Sequence, residues 1–90
     1  MTTAIPDSPL QFPCEFPVKA FGRSSQDFDA LVAGIVRRHV PNLGEGAVSS
    51  RSSSQGKYTA VTVTIRAESK AQLDAIYLDL TACPEVLTAL

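Results

Sequence analysis

The sequence predicts an α+β domain in which two helices cover one face of a small antiparallel sheet. One observation is the strict alternation of residues 58–66, where apolar side chains occupy every second position, as in a strand with one buried face. The other is that two segments, one before and one after this strand, repeat apolar residues at helical spacing. Together with three further strand segments, these elements give the order β-α-β-β-α-β along the chain.

The first strand is expected at residues 12–21. Its two sides are Phe16, Val18 and Ala20 on one and Glu15, Lys19 and Phe21 on the other. Pro13 and Pro17 lack the amide hydrogen that a ladder uses, so an irregular or edge-like ladder is expected near the strand start. Gly22 is expected to end the strand.

The first helix is expected to begin at Ser24, because Ser24 and Asp27 have the spacing of a capping pattern. Asp27 and Asp29 also suit the positive end of a helix dipole. Its apolar stripe is Phe28, Leu31, Val32, Ile35 and Val36. Arg37, Arg38 and His39 occupy the last turn, and Val40 before Pro41 ends the helix because the residue before a proline avoids the α region.

The middle of the chain is predicted to form a β-hairpin. Residues 47–53 are polar and suit an edge strand, and residues 54–57 supply a turn into the long strand. The long strand places Val61, Val63 and Ile65 on one face and Ala60, Thr62 and Thr64 on the other.

The second helix is expected to begin at Ser69, with Gln72 completing a capping box. Its buried stripe is Leu73, Ile76, Tyr77 and Leu80, with Asp74 and Asp79 pointing away. Pro84 closes the helix, and residues 86–90 form a short last strand.

This order of elements, with right-handed crossovers, predicts the ferredoxin-like βαββαβ sandwich. In it a four-stranded antiparallel sheet carries both helices on one face, and the first and long strands lie in the middle. A single domain is expected at residues 12–90, after a flexible tail at residues 1–11 that contains Pro6 and Pro9. A domain this small is expected to be marginally stable, or to be helped by self-association across the uncovered sheet face.

Composition narrows the function classes. The formal net charge of −1 gives no overall basic field, which disfavours a general nucleic-acid binder. No apolar run approaches the roughly eighteen residues of a membrane span. The first residues lack the charged and apolar regions of a signal peptide, so a cytoplasmic protein is expected.

No catalytic, metal or cofactor site is predicted. Cys14 and Cys83 are expected to be reduced, largely buried thiols, and their places at the first and last strands could bring them together. His39, the one histidine, has no carboxylate or cysteine close to it in the sequence, which favours a helix-capping role over catalysis. The many serines of residues 49–54 suit a polar edge and turn rather than a nucleophile.

Three function hypotheses remain open. The first is a non-catalytic regulatory or interaction module that binds a protein partner or a small anionic effector. Its effector site is the loop after strand one, formed by Gly22, Arg23, Ser24 and Ser25, where backbone amides and Arg23 could hold an anion. Its interface, with a partner or in a homodimer, is the open sheet face with Lys19, Phe21, Tyr58, Thr62 and Thr64.

The second hypothesis is an RNA-binding domain, since RNA-recognition domains share this topology and stack bases on aromatic residues of the two central strands. Tyr58 fits one such position, but Thr62 and Thr64 stand where further rings are wanted. The third is an acylphosphatase-like hydrolase. Arg23 is in the appropriate loop, but the one asparagine, Asn42, lies at the exit of the first helix rather than on a strand.

From Phe12 onward the chain resembles the YbeD-like family of small bacterial proteins. The matching pieces are Phe12-Pro13, the R-R-H-V-P of residues 37–41 and the S-S-x-G-x-Y-x-x-V-x-V-x-I of residues 53–65. The resemblance implies a ferredoxin-like fold similar to the ACT regulatory domains, which bind amino acids. It also implies an association with lipoate metabolism, because members are often encoded beside lipoate-biosynthesis genes. ACT effector loops typically carry an acidic residue and a glycine before the first helix, whereas this chain has Gly22-Arg23-Ser24-Ser25.

Overall fold

The computed structural model describes residues 11–53 and 55–90. The flexible tail predicted at residues 1–11 lies outside this part of the chain, apart from Gln11. Between them the described residues form the strands and helices β1 (Cys14–Arg23), α1 (Phe28–Arg37), β2 (Val48–Ser52), β3 (Tyr58–Ala67), α2 (Lys70–Ala82) and β4 (Val86–Ala89). A short 3-10 turn (Glu45–Ala47) leads into β2.

The strands form one antiparallel sheet in the order β2-β3-β1-β4. The predicted ferredoxin-like fold is therefore confirmed, with β1 and β3 in the middle and β2 at one edge. The sheet contributes Val18, Ala20, Val61, Val63, Ile65, Ala67 and Val86 to the core, and the helices contribute Phe28, Val32, Ile35, Val36, Leu73, Ile76 and Leu80. The predicted faces of both central strands are thus correct.

β1 is more regular than its prolines suggested. It pairs with β3 without a break from Cys14, opposite Ala67, to Arg23, opposite Tyr58. Its first residues have no partner on the other side, so the start is regular toward β3 and edge-like on its second side, the second of the two expected forms. Pro17 is tolerated because of the phase of the ladder. The amide of Ser24 donates to the Lys57 carbonyl at 2.9 Å, so even-numbered positions of β1 bond to β3 and Pro17 faces away from it. On that side β4 pairs with β1 only from Lys19 onward.

Gly22 lies inside β1 rather than ending it. A β-carbon at this position would lie 2.4 Å from the carbonyl oxygen of Glu85 and 2.5 Å from the ring of Phe28. The glycine is therefore required by close packing between β1, α1 and the segment before β4.

The start of α1 differs from the predicted capping pattern. Ser24 continues the ladder, and its hydroxyl pairs with the Thr59 hydroxyl at 2.7 Å instead of capping the helix. The N-cap residue is Asp27, whose side chain makes no capping hydrogen bond, and the helix begins at Phe28. Asp29 lies in the first turn, as expected.

The start of α2 agrees with its prediction. The hydroxyl of Ser69 accepts a hydrogen bond from the Gln72 amide at 3.1 Å. The side-chain oxygen of Gln72 reaches back to the Glu68 amide at 2.7 Å, one residue before the cap. The capping box is thus present, displaced by one residue on its return bond.

Two further expectations are wrong. Cys14 pairs with Ala67, whereas Cys83 precedes Val86, which pairs with Gly22. The two thiols, both free and partly buried, therefore lie toward opposite ends of β1 and cannot approach each other. Asp79 does not point away, because its Oδ2 lies 2.6 Å from Nε2 of His39.

None of the helices in residues 11–53 and 55–90 is both long and apolar enough to cross a membrane.

Candidate functional site

The face of the sheet opposite the helices, called the open face below, is uncovered by any other element of the described chain. All five residues predicted for it lie there, since Lys19 pairs with Thr62 and the others share their side of β1 or β3. The open face comprises Glu15, Pro17, Lys19, Phe21, Arg23, Ser49, Arg51, Tyr58, Ala60, Thr62, Thr64, Arg66 and Thr88.

The register aligns these side chains in rows across the strands. Arg51, Ala60 and Phe21 form one row over β2, β3 and β1. Because Ala60 carries only a methyl group, its larger neighbours rise above it and leave a shallow depression of about 530 Å³. This depression is lined by Lys19, Phe21, Ser49, Ser50, Arg51, Ala60 and Thr62.

The open face is basic. Its charged side chains are Lys19, Arg23, Arg51 and Arg66 against Glu15. Arg66 is compensated, because it stands opposite Glu15 and its Nε lies 3.4 Å from Glu68 Oε2. No other basic residue of this face makes an ion pair within the described ranges.

Lys57, in the hairpin before β3, adds a fourth uncompensated charge beside Arg23. We call Lys19, Arg23, Arg51 and Lys57 the basic cluster. The helix layer, by contrast, mixes Asp27, Asp29, Asp74 and Asp79 with Arg37, Arg38 and Lys70. The net charge of −1 therefore conceals a local excess of positive charge that the overall composition could not reveal.

The predicted effector loop is only partly a loop. Gly22 is buried, Arg23 ends β1 opposite Tyr58, and Ser24 uses its amide and hydroxyl in the contacts with Lys57 and Thr59. The structure therefore joins Arg23 to Tyr58 and Lys57, and these residues line a second depression of about 530 Å³ with Ser24 and Gly56.

Ser25 lies on the other side of this corner. With Arg23, Ser24, Pro84, Glu85 and Leu87 it lines a smaller depression of about 280 Å³. Glu85, an acidic residue, is part of this lining, and Asp27 and Asp29 already stand at the positive end of α1. An anion would therefore be held better by Arg23 and Lys57 on the hairpin side than by the helix amides.

The open face has two aromatic residues, Phe21 and Tyr58. They are diagonal neighbours across β1 and β3, because Phe21 pairs with Ala60 and Tyr58 with Arg23. Tyr58 is 47% exposed, whereas Phe21 is partly buried in the sheet surface. Thr62 and Thr64 follow Tyr58 on this face, as the sequence predicted.

His39 connects the two helices. Its ring contacts Asp79, and its carbonyl oxygen accepts a hydrogen bond from Nε2 of Gln72 at 3.2 Å. The helix-capping role expected for the ring is therefore replaced by a link between α1 and α2. The sequence could not find this pair because its members are forty residues apart.

Tyr77 has a strongly shifted pKa. Burial raises the pKa of the Tyr77 phenol from 10.0 to about 12. Its hydroxyl donates to the carbonyl oxygen of Leu90, which places the end of the ring beside the residue that follows β4. Within the part of the chain that the structure describes, no three histidine, cysteine, aspartate or glutamate side chains are grouped as metal ligands would be.

The fold and this face define the chain as a small ferredoxin-like domain with one basic, uncovered sheet surface. A family model described as "Protein of unknown function (DUF493)" matches residues 7–90, and the chain belongs to this family.

Relatives agree with this assignment, and a solved structure shares the fold. A UPF0250 protein of Chromobacterium violaceum is 46% identical over 77 residues, which cover 86% of each chain. A UPF0250 protein of Paraburkholderia phytofirmans is 40% identical over 88 residues, which cover 98% of this chain and 99% of the relative. The solution structure of protein HP0495 from H. pylori superposes with a TM-score of 0.70 at 10% identity, covering 100% of this chain and 94% of that one, and so shares the fold.

Proposed function

We propose that this chain is a non-catalytic interaction module that binds an acidic partner protein through its open face. The observation that carries the proposal is the basic cluster around Phe21 and Ala60, four cations without an ion-pair partner among the described residues. Like charges held on one surface repel each other, and an acidic partner relieves that repulsion. The apolar ring of Phe21 supplies contact area at the centre of the same surface.

A small anionic effector is a second candidate. It is favoured by one observation, the depression that brings Arg23 and Lys57 together beside Tyr58. A carboxylate or phosphate of metabolite size fits a recess of about 530 Å³ with two cations at its rim. Such an effector would make the module regulatory, in the manner implied by its resemblance to ACT domains.

RNA is less well matched to the same surface. Stacking platforms need exposed rings in succession, but Tyr58 is followed on β3 by Ala60, Thr62 and Thr64. Phe21, the other ring, is partly buried. An acidic protein surface needs only the cations and an apolar centre, which the open face offers.

The test is affinity capture from a lysate of the source bacterium, with two charge reversals compared. Arg51→Glu alters the basic cluster, and Arg38→Glu makes the same change at the end of α1, where Arg38 is also exposed. We expect a captured acidic protein to bind the purified Arg51→Glu variant about tenfold or more weakly, a loss of about 1.4 kcal/mol. Arg38→Glu should bind it like the unaltered protein.

Other results would contradict the proposal. Equal weakening by both reversals would show that only net charge matters. Capture that disappears after nuclease treatment would favour RNA. Displacement of the protein partner by a small anion, sensitive to Arg23→Ala and not to Arg38→Ala, would support the effector as a ligand of the same module.

A further inference from the structure

The outer edge of β2 carries backbone groups that no other strand of residues 11–53 and 55–90 uses. The amide of Ser53 donates to the Tyr58 carbonyl at 2.8 Å, which fixes the phase of the β2–β3 ladder. Because hydrogen-bonded and non-hydrogen-bonded pairs alternate along an antiparallel ladder, Arg51 and Ser49 bond to β3. The amides and carbonyls of Ser50 and Ser52 therefore point outward, along the edge.

β2 has few of the devices that usually protect an edge. Proteins block edges with proline, bulges, charged side chains or very short strands, and of these β2 carries one charged residue, Arg51. β2 is five residues long, V-S-S-R-S, and pairs with β3 in continuous register without a bulge. The strand at the opposite edge, β4, is four residues long and is preceded by Pro84. Its pairing with β1 shifts register between Phe21 and Gly22 of β1.

The two flanks of β2 differ in chemistry. On the open-face side stands Arg51, at the rim of the depression over Ala60. On the helix side a groove of about 350 Å³ separates β2 from α1, lined by Asp29, Ala30, Ala33, Arg37 and Val48. A strand added beside β2 would thus send alternate side chains toward a cation and toward a groove that combines two alanines and a valine with Asp29 and Arg37.

We propose that an extended segment of the acidic partner, with acidic and apolar residues in alternation, adds to the sheet as a fifth strand beside β2. This inference rests on the proposed function and specifies how the partner docks. Carboxylates of the added strand lie opposite Ser49 and Arg51 on the open face, where the basic cluster attracts them. Its apolar side chains enter the groove beside α1, and its backbone bonds to the free groups of Ser50 and Ser52.

A second copy of this chain is a poorer occupant of the same edge. Two β2 strands paired antiparallel around Ser50 would form a continuous sheet with both open faces on one side. The basic clusters of the two copies would then lie side by side and repel each other. An acidic segment places opposite charges at those positions.

The experiment uses the whole chain and a labelled peptide of alternating valine and glutamate, long enough to pair with the five residues of β2. Fluorescence anisotropy compares Ser50→Pro, which removes an outward amide, with Ser50→Ala, which keeps it. We expect Ser50→Pro to weaken binding about five- to tenfold, because one backbone hydrogen bond is lost and the ring obstructs the edge. Ser50→Ala should bind like the unaltered chain.

A second measurement leaves the protein unchanged, so it does not depend on how Ser50→Pro folds. A peptide N-methylated at the residues whose amides point toward β2 should bind the unaltered chain weakly. Its affinity should be no higher than that of the unmethylated peptide for Ser50→Pro. Methylation of the intervening residues should leave affinity unchanged. Amide exchange followed by NMR should show Ser50 and Ser52 slowed by the peptide, while Ser49 and Arg51, already bonded to β3, change little.

The outcomes separate the two proposals. Equal affinity for Ser50→Pro and Ser50→Ala, with binding still lost in Arg51→Glu, overturns strand addition and leaves acidic-partner binding in place. Equal affinity for a valine–lysine peptide overturns the charge argument of the proposed function itself. A dimer in sedimentation that the peptide cannot dissociate, and that protects Ser50 and Ser52, shows that a second copy occupies the edge and overturns this inference.

Discussion

At the scale of single residues, two glycines lie in opposite surroundings, one tightly enclosed and one open. Gly22 is enclosed, because the space for a β-carbon is filled by the Glu85 carbonyl and the Phe28 ring. At Gly34, within α1, a β-carbon would meet no atom within 4 Å apart from the backbone of its own helix and its chain neighbours. The two glycines therefore predict opposite responses to one substitution.

Gly22→Ala should lower the free energy of unfolding by about 1–3 kcal/mol, because the backbone oxygen of Glu85 cannot move aside as a flexible side chain would. Gly34→Ala, the matched control, should raise it by about 0.5–1 kcal/mol, since alanine is the better helix former and meets no neighbour. Urea unfolding of both variants measures these changes. A stable Gly22→Ala protein would show that β1 and the segment before β4 are more loosely packed.

Tyr77 makes the free energy of unfolding depend on pH in the alkaline range. Because burial raises its pKa from 10.0 to about 12, the unfolded chain releases the phenolic proton over a range in which the folded chain keeps it. The stabilisation that Tyr77 provides is therefore fully present below pH 10 and is lost as pH rises toward 12. Replacing Tyr77 with phenylalanine should remove this part of the pH dependence.

The measurement is the urea midpoint as a function of pH for Tyr77→Phe and for Tyr58→Phe. The chain has two tyrosines, so Tyr58→Phe leaves Tyr77 as the one phenol, and its ionisation can be followed by absorbance. A midpoint near 10 in folded Tyr58→Phe would mean that Tyr77 is exposed to solvent.

At the scale of elements, α1 and α2 are joined by polar contacts at one end as well as by the core. The side chains of His39 and Asp79 are 23% and 42% exposed and lie 2.6 Å apart. Gln72, in the first turn of α2, donates to the His39 carbonyl while its oxygen accepts from Glu68. The segment that follows α1 is therefore held against α2 at two points, Gln72 near its start and Asp79 two turns further on.

A double-mutant cycle of His39→Ala and Asp79→Ala should give a coupling energy of about 0.5–1 kcal/mol in the free energy of unfolding, because the His39 side chain is partly shielded from water. The matched cycle is Lys70→Ala with Asp74→Ala, an exposed pair at 3.0 Å within α2, where about 0.3 kcal/mol or less is expected. Equal coupling in the two cycles would mean that the His39 contact adds nothing beyond an ordinary surface pair.

At the scale of the whole molecule, the sheet divides the chain into two surfaces of different chemistry. One surface is closed by the helices over the apolar core. The other remains uncovered and collects the basic cluster, with Phe21 and Tyr58 among the cations. Both proposals depend on this division, because alternation along β1 and β3 commits every second residue to a surface that the chain itself does not cover.

Features that depend on neighbours in the chain could be predicted from the sequence. The alternation of Val61, Val63 and Ile65 predicts the buried face of β3, and Ser69 with Gln72 predicts the start of α2, because strand period and helix capping act over a few residues. The five predicted open-face residues follow from the same alternation. The capping prediction for Ser24 was wrong because a capping pattern involves only neighbouring residues. The hydrogen bond between Ser24 and Lys57, which extends the ladder instead, joins residues that are far apart in the chain.

Contacts between residues that are distant in the chain could not be predicted in this way, and the folded structure shows them. Arg51, Ala60 and Phe21 form one row because the registers of two strand pairs place them there, and His39 meets Asp79 because the helices pack side by side. It also showed that Cys14 and Cys83 lie apart, that Pro17 faces the unpaired side of β1, and that Ser50 and Ser52 present free backbone groups. Register and packing depend on the whole core at once, and no single stretch of sequence contains that information.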